Sequence, residues 1–310
     1  MDKKNKNFCP FNFCKVENKK GDISTEQLVI IIILVISFAI ILIFLFQLNL
    51  KETTDKEICH NSVVTRGNSV LPKDATPLNC HTEYICITKG GGKCIGLSNP
   101  KIFEAQTKDD VYKVLADQMY DCWWMFGQGK INYAGKDLTE NLYCSLCSQI
   151  LFDPSIKTIP EFTDGINKKD FYNYLSANQA TSDMTYTQFL YGNKDLSEIE
   201  KDLEKQHVEM GTINLDKQQY ILMGITSKVS KLEYVLIGAP VAFGLTLLAP
   251  PVGITVISGT IALAVGAGTG YAVGFTVEGL SGNEYLSPSI VEVNSDSFNE
   301  LKCKSIETYA

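Results

Sequence analysis

Arginine is almost missing from this sequence: Arg66 is the only one in 310 residues, and every other basic side chain is lysine. The planar fork that reads phosphates and guanine edges is therefore scarce, and nucleic-acid binding is excluded as a main role. Histidine is scarce too, with only His60, His81 and His207. The chain lacks Gly-x-Ser-x-Gly, His-Glu-x-x-His and a phosphate-binding loop, so no catalytic constellation rises above background and an enzymatic role has no support. No period of about 20 to 50 residues recurs, which excludes a solenoid or propeller. The Lys-for-Arg bias, with its many Ile and Asn, also fits an AT-rich genome, so it excludes functions without assigning one.

What is present is apolar sequence in two long blocks, cysteine, and charge sorted by position. The formal charge of -7 hides opposite ends. Residues 1–20 hold six lysines against Asp2 and Glu17, whereas residues 278–310 hold six acids against Lys302 and Lys304. Residues 28–48 then run without a formal charge, long enough for a helix to cross a bilayer core of ~30 Å. Ser24 with Gln27 reads as a capping box, and Asp22 and Glu26 suit the positive end of a helix dipole. Lysines 3, 4, 6, 15, 19 and 20 precede the span, so the positive-inside rule keeps the N-terminus cytoplasmic and sends Lys51 onward across the cell membrane. A cleavable secretory signal has a shorter apolar core and a small-x-small site behind it, neither of which is found before Lys51.

The junction Lys19-Lys20-Gly21, followed by Glu26 five residues on and then by the apolar helix, resembles the class III signal of archaeal type IV pilin and archaellin precursors. The resemblance covers about thirty residues. It implies that a prepilin-type peptidase cuts after Gly21, that Asp22 becomes the new N-terminus, and that the apolar helix stays in the mature protein. It also implies that Glu26 meets the amino terminus of a neighbouring subunit. Asp22 departs from the family, where Gln or Ala is common. The other reading is an uncut signal anchor with an incidental glycine.

A second apolar block, residues 234–277, has no formal charge over forty-four residues. As one straight helix it would be ~66 Å long, about twice the bilayer core, so it must turn. Pro250-Pro251 divides it into limbs at about 234–249 and 252–277, with Pro240 as a further kink. Ser258, Ala262, Gly266, Gly270 and Gly274 recur every fourth residue, as do Gly238, Ala242 and Thr246, a spacing that lets membrane helices pack closely. The favoured expectation is a glycine-rich transmembrane helical hairpin. A buried hairpin in a soluble core, a re-entrant loop and Gly/Thr/Val-rich strands are the alternatives. Beyond Thr, Ser and one Tyr nothing polar lines either limb, so a conducting pathway has no positive sign.

Residues 51–232 read as a water-soluble α+β domain. Residues 81–97 suggest two short strands joined by Lys89-Gly-Gly-Gly-Lys93. Residues 109–126 put Val111, Val114, Leu115, Met119, Cys122, Trp123 and Phe126 on one helical face, closed by Gly127. Gly127-Gln-Gly129 therefore reads as helix termination, not as a ligand loop. Further helices are expected at 167–177 and 197–210, and strands at 184–191 and 218–227. Residues 51–60 show no sustained amphipathic continuation of the first helix.

Ten cysteines divide by this topology. Cys9 and Cys14 fall in the leader, while Cys59, Cys80, Cys86, Cys94, Cys122, Cys144, Cys147 and Cys303 lie outside if the second apolar block is a two-pass hairpin. Eight is even, and an oxidising exterior favours four disulfides, whose connectivity the sequence cannot choose. Cys144-Ser-Leu-Cys147 has two sharper readings. One is a redox pair, although that fold needs a βαβ setting that the stretch lacks in this reading. The other is a zinc site completed by Cys59-His60, Cys80-His81 and His207. Structural disulfides are favoured, with no cofactor or metal.

The resulting expectation is a membrane-anchored α+β protein: a basic leader (1–21), a transmembrane helix (22–50), a disulfide-stapled extracytoplasmic domain (51–232), an apolar helical hairpin (233–278) and an acidic extracytoplasmic tail (279–310). Its partners would be the lipid bilayer, envelope proteins or further copies met through the transmembrane helices, and the peptidase if the leader is processed. Its role would be structural or interactive at the cell surface. A pilin-like filament subunit is the second reading, opposed by a second apolar block that would hold the subunit in the bilayer, and a thiol oxidoreductase is the third.

Overall fold

A computed structural model describes residues 25–47, 50–71, 75–134, 142–192, 197, 210–226, 259–265, 271–278, 283–301, 303–304 and 306–307. It divides into two units, Met1–Lys51 and Glu52–Ala310. The first contains helix α1 (Thr25–Gln47), with Glu26 in its first turn. Within α1 the window Glu26–Ile43 is long and apolar enough to cross a membrane, and none of it is buried. Its polar interruption is satisfied internally, because Ser37 Oγ donates to the Leu34 carbonyl at 3.0 Å.

The body is a mixed α/β fold around an eight-stranded sheet. Its strands are β1 (Glu83–Thr88), β2 (Lys101–Glu104), β3 (Tyr143–Phe152), β6 (Gln219–Thr226), β7 (Gly259–Val265), β8 (Tyr271–Glu278), β9 (Glu284–Glu292) and β10 (Ile306–Glu307). They run in the order β2-β1-β3-β6-β9-β8-β7, with β10 added beside β3. β2, β1, β3 and β10 pair in parallel and the remaining pairs are antiparallel. A two-stranded ladder joins β4 (Ile166–Asn167) to β5 (Thr212–Ile213).

Helix α3 (Lys108–Met125) follows β2 and precedes β3 in the chain, and these two strands run parallel on either side of β1, so β2, α3 and β3 form a split βαβ unit. Its start is a capping box: Thr107 accepts from the Asp110 amide, and the Asp110 carboxylate accepts from the Thr107 amide. Its end is a Schellman motif, as the Gly127 amide donates to Trp124 O and the Gln128 amide to Trp123 O. Gly127 takes the left-handed φ of 79° that this closure requires. Val111, Leu115, Met119, Cys122 and Trp123 of the expected face are fully or almost fully buried. Trp123 meets Tyr285 of β9 edge-on at 6.4 Å, which seats the helix on the sheet.

Helix α2 (Leu50–Asn68) buries Cys59 and Val63 in the same core, so a helix does follow the first one; among the described side chains of residues 51–60, Cys59 alone is buried. Helix α4 (Lys168–Ala177) lies where the sequence suggested one, and it starts at an Asn167 cap. Residues 184–191 are not a strand. They form α5 (Tyr186–Tyr191), because Thr185 and Gln188 close a capping box and Tyr186, Leu190 and Tyr191 face inward at helical spacing. The helix expected at 197–210 falls almost wholly outside the described residues.

Two further expectations are corrected. The strand partner of β1 is not residues 93–97 in a hairpin but β2, and it runs parallel. Cys94 is drawn back to Cys86, so the glycine loop becomes part of a crossover. In the second apolar block, the described part of the second limb is two antiparallel strands, β7 and β8, not a helix. Thr260, Ile261 and Val265, and Val273, Phe275 and Val277, suit a pleated backbone better than a helical one. The first limb and Pro250-Pro251 lie outside the described residues.

The sheet separates two cores. The larger packs α2, α3, α4 and α5 on one face. The smaller packs Leu142, Cys144, Leu146, Leu222, Leu286, Val291 and Leu301 on the other, near the short helix α6 (Asp296–Glu300).

Candidate functional site

Of the residues at the expected processing junction, Gly21 and Asp22 lie outside the described residues, as do Cys9 and Cys14. Glu26 is exposed in the first turn of α1, at the end where a carboxylate is favoured. The expected helix-packing set divides: Ser258, Gly266 and Gly270 lie outside the described residues. Ala262 and Gly274 stand directly opposite each other in the β7–β8 ladder, so their pairing is across strands.

The cysteines form the most developed constellation in the body. All eight expected to pair do so, as Cys59–Cys80, Cys86–Cys94, Cys122–Cys147 and Cys144–Cys303, with Cα separations of 4.4, 5.6, 5.6 and 5.5 Å. Cys144 and Cys147 therefore have different partners. Both lie on β3, where residues three apart face opposite sides of the sheet. Cys144 joins the smaller core and Cys147 the larger.

A bulge after Leu146 adds to this division. It turns two successive residues, Cys147 and Ser148, toward α3. There Cys147 bonds Cys122, and Ser148 Oγ donates to Gln118 Oε1 at 2.7 Å. Gln118 and Cys122 are one helical turn apart, so strand and helix are fixed by a covalent and a polar link side by side. The expected lack of a βαβ setting is overturned, since β2, α3 and β3 supply a split one around β1. The redox reading of Cys144 and Cys147 nevertheless meets a barrier: the sheet stands between their sulfurs.

The zinc set disperses for a similar reason, because in the disulfide state neither Cys144 nor Cys147 offers a thiolate. Among the described residues no group of three His, Cys, Asp or Glu is placed to hold a metal. His60 instead stacks on Trp124, with ring centroids 4.4 Å apart and Nδ1 2.9 Å from the Trp124 carbonyl. His81 is exposed, and His207 lies outside the described residues.

Several polar contacts had no separate signal in the sequence. Lys56 of α2 pairs with Asp121 of α3, whose carboxyl burial pushes above the usual range despite that partner. The Tyr186 hydroxyl donates to Asp117, and loss of solvent raises Tyr186 well above an ordinary phenol. Half-buried Lys168 is drawn down to about 8 by desolvation, with Glu292 opposing. At the carboxyl ends of β1 and β3, the Asp153 carboxylate lies so close to Gly92 that an added Cβ would fall 2.4 Å from it. The Gly92 amide donates to Thr88 Oγ1 at 2.9 Å, and Ser155 Oγ accepts from the Lys89 amide at 2.9 Å. That network explains why Gly92 has no side chain and fixes the loop internally.

Chemically the arrangement is one of fixation: cystines, caps and paired charges tie helices to a sheet. Comparison with protein families, with curated proteins and with solved structures finds no match for this chain.

Proposed function

We propose that the chain is a membrane-anchored cell-surface protein, with its N-terminus in the cytoplasm and its disulfide-stapled body outside, and that the body has a structural or interaction role. The observation that carries this reading is the pairing of two facts along one chain. An exposed apolar helix of membrane-spanning length is followed by a body in which all eight cysteines are paired. Cystines persist in oxidising compartments, and the lysines before α1 favour the orientation that delivers the body there. Protease added to intact cells should digest the body. Digestion only after lysis would refute the reading.

A second reading, a pilin-like filament subunit processed after Gly21, gains support from one specific observation. The described part of the second limb pairs into the body sheet, so the three-span obstacle to leaving the bilayer is weakened. In this reading α1 packs in a filament core and Glu26 meets a neighbour's amino terminus. Recovery of the chain in sheared extracellular fibres would favour the filament. Recovery only in the detergent extract would favour the anchor.

A further inference from the structure

The described residues within 295–307, namely 295–301, 303–304 and 306–307, form a strap over the smaller core. Ser295 caps α6, Phe298 meets the Tyr220 ring edge-on at 5.5 Å, and Leu301 is buried in the cluster. The Lys304 amide donates to the Leu142 carbonyl at 2.9 Å, and Ile306 and Glu307 pair with Cys144 and Ser145. β1 covers that edge of β3 only from Ser148 onward, so the strap fills the remaining slot. Its covalent tie is Cys144–Cys303.

This disulfide differs from the other three in access. Seven of the eight half-cystines are buried, whereas Cys303 is only half-buried. It also lies just before a two-residue strand, where opening requires local fraying and leaves the packing of the main sheet intact. We propose that Cys144–Cys303 is a redox clasp, opened by an external dithiol before the other three cystines, and that its opening releases the strap from the smaller core.

The step balances as thiol–disulfide exchange. A thiolate of the dithiol attacks Cys303 Sγ, the S–S bond breaks, and its electron pair leaves on Cys144 Sγ, which takes a proton from water. The dithiol's second sulfur, as its thiolate, then displaces Cys303 Sγ. The dithiol ends as a cyclic disulfide, and the protein gains two thiols. Attack at Cys144 is blocked, because that residue is 1% exposed.

The test uses the full-length oxidised protein in detergent, with free thiols blocked beforehand. After timed exposure to dithiothreitol, new thiols are alkylated and assigned by peptide mass spectrometry, and deuterium uptake is followed in the peptide spanning 295–307. Cys144 and Cys303 should be labelled together, about tenfold faster than any other cystine, as expected where local opening governs access. Deuterium uptake in the strap should rise in step, while uptake in α3 stays unchanged. A C144A/C303A variant should show the fast uptake without dithiol. The proposal is overturned if another cystine opens first, if all four open together, or if the strap stays protected in the opened or variant protein.

Discussion

Replacing Cys122 and Cys147 together by alanine tests the reasoning about the α3–β3 junction. The cystine closes a loop of 25 residues. In the chain-entropy treatment, restoring that freedom to the unfolded chain costs ~12 cal/mol/K, or about 3.5 kcal/mol at 25 °C. For a body of this size the matching fall in Tm is about 7 to 14 °C. The Cys86–Cys94 loop spans 8 residues and by the same treatment is worth about 2.5 kcal/mol. C122A/C147A should therefore lose more than C86A/C94A. Both can be followed by guanidinium unfolding of the full chain in detergent, read by tryptophan fluorescence. The probe is well placed, because both tryptophans are on α3 and Trp123 is packed against Tyr285. A smaller loss for C122A/C147A than for C86A/C94A would refute the account of how helix and strand are joined.

Other substitutions test the remaining junctions. Ser148→Ala should cost about 1 to 3 kcal/mol by stranding the buried Gln118 carbonyl oxygen, and adding Gln118→Leu should recover part of it; full neutrality in denaturant titration would contradict the pairing. Gly92→Ala should cost about 1 to 3 kcal/mol through contact with the Asp153 carboxylate, and G92A/D153A should cost less than the sum of its parts in a double-mutant cycle. Burial pushes Tyr112 from 10.0 up to about 12, so its contribution to stability is complete below pH 10 and is lost as pH rises from about 10 to about 12. The stability of Y112F should fall less steeply than wild type across that window, and parallel curves would refute this.

The legible parts of the fold were those where local chemistry and tertiary packing agree. The apolar face and glycine stop of α3, the helix expected at 167–177 and the even cysteine number all pointed the right way. In residues 184–191 the alternating and clustered pattern suggested a strand, while the Thr185–Gln188 capping box was the stronger local determinant. The small residues at 262 and 274, the two of that series among the described residues, misled for a geometric reason. Positions four apart share a face in a helix and equally in a strand, so that spacing alone cannot choose between them. The roles of Cys144 and Cys147 were out of reach of local sequence, since they depend on β3 being central to a sheet with a core on each face. Lys56–Asp121 and Tyr186–Asp117 join residues more than sixty apart and leave no local trace.

The central claim is an exported, four-cystine body carried on a retained apolar helix. Intact-mass analysis of the membrane-extracted protein, with and without reductant, tests it most directly. The prediction is a chain that keeps residues 25–47 and gains eight hydrogens on reduction, with Cys9 and Cys14 open to alkylation beforehand if the leader is present. A mass lacking the apolar helix, or eight alkylatable body thiols before reduction, would contradict the account.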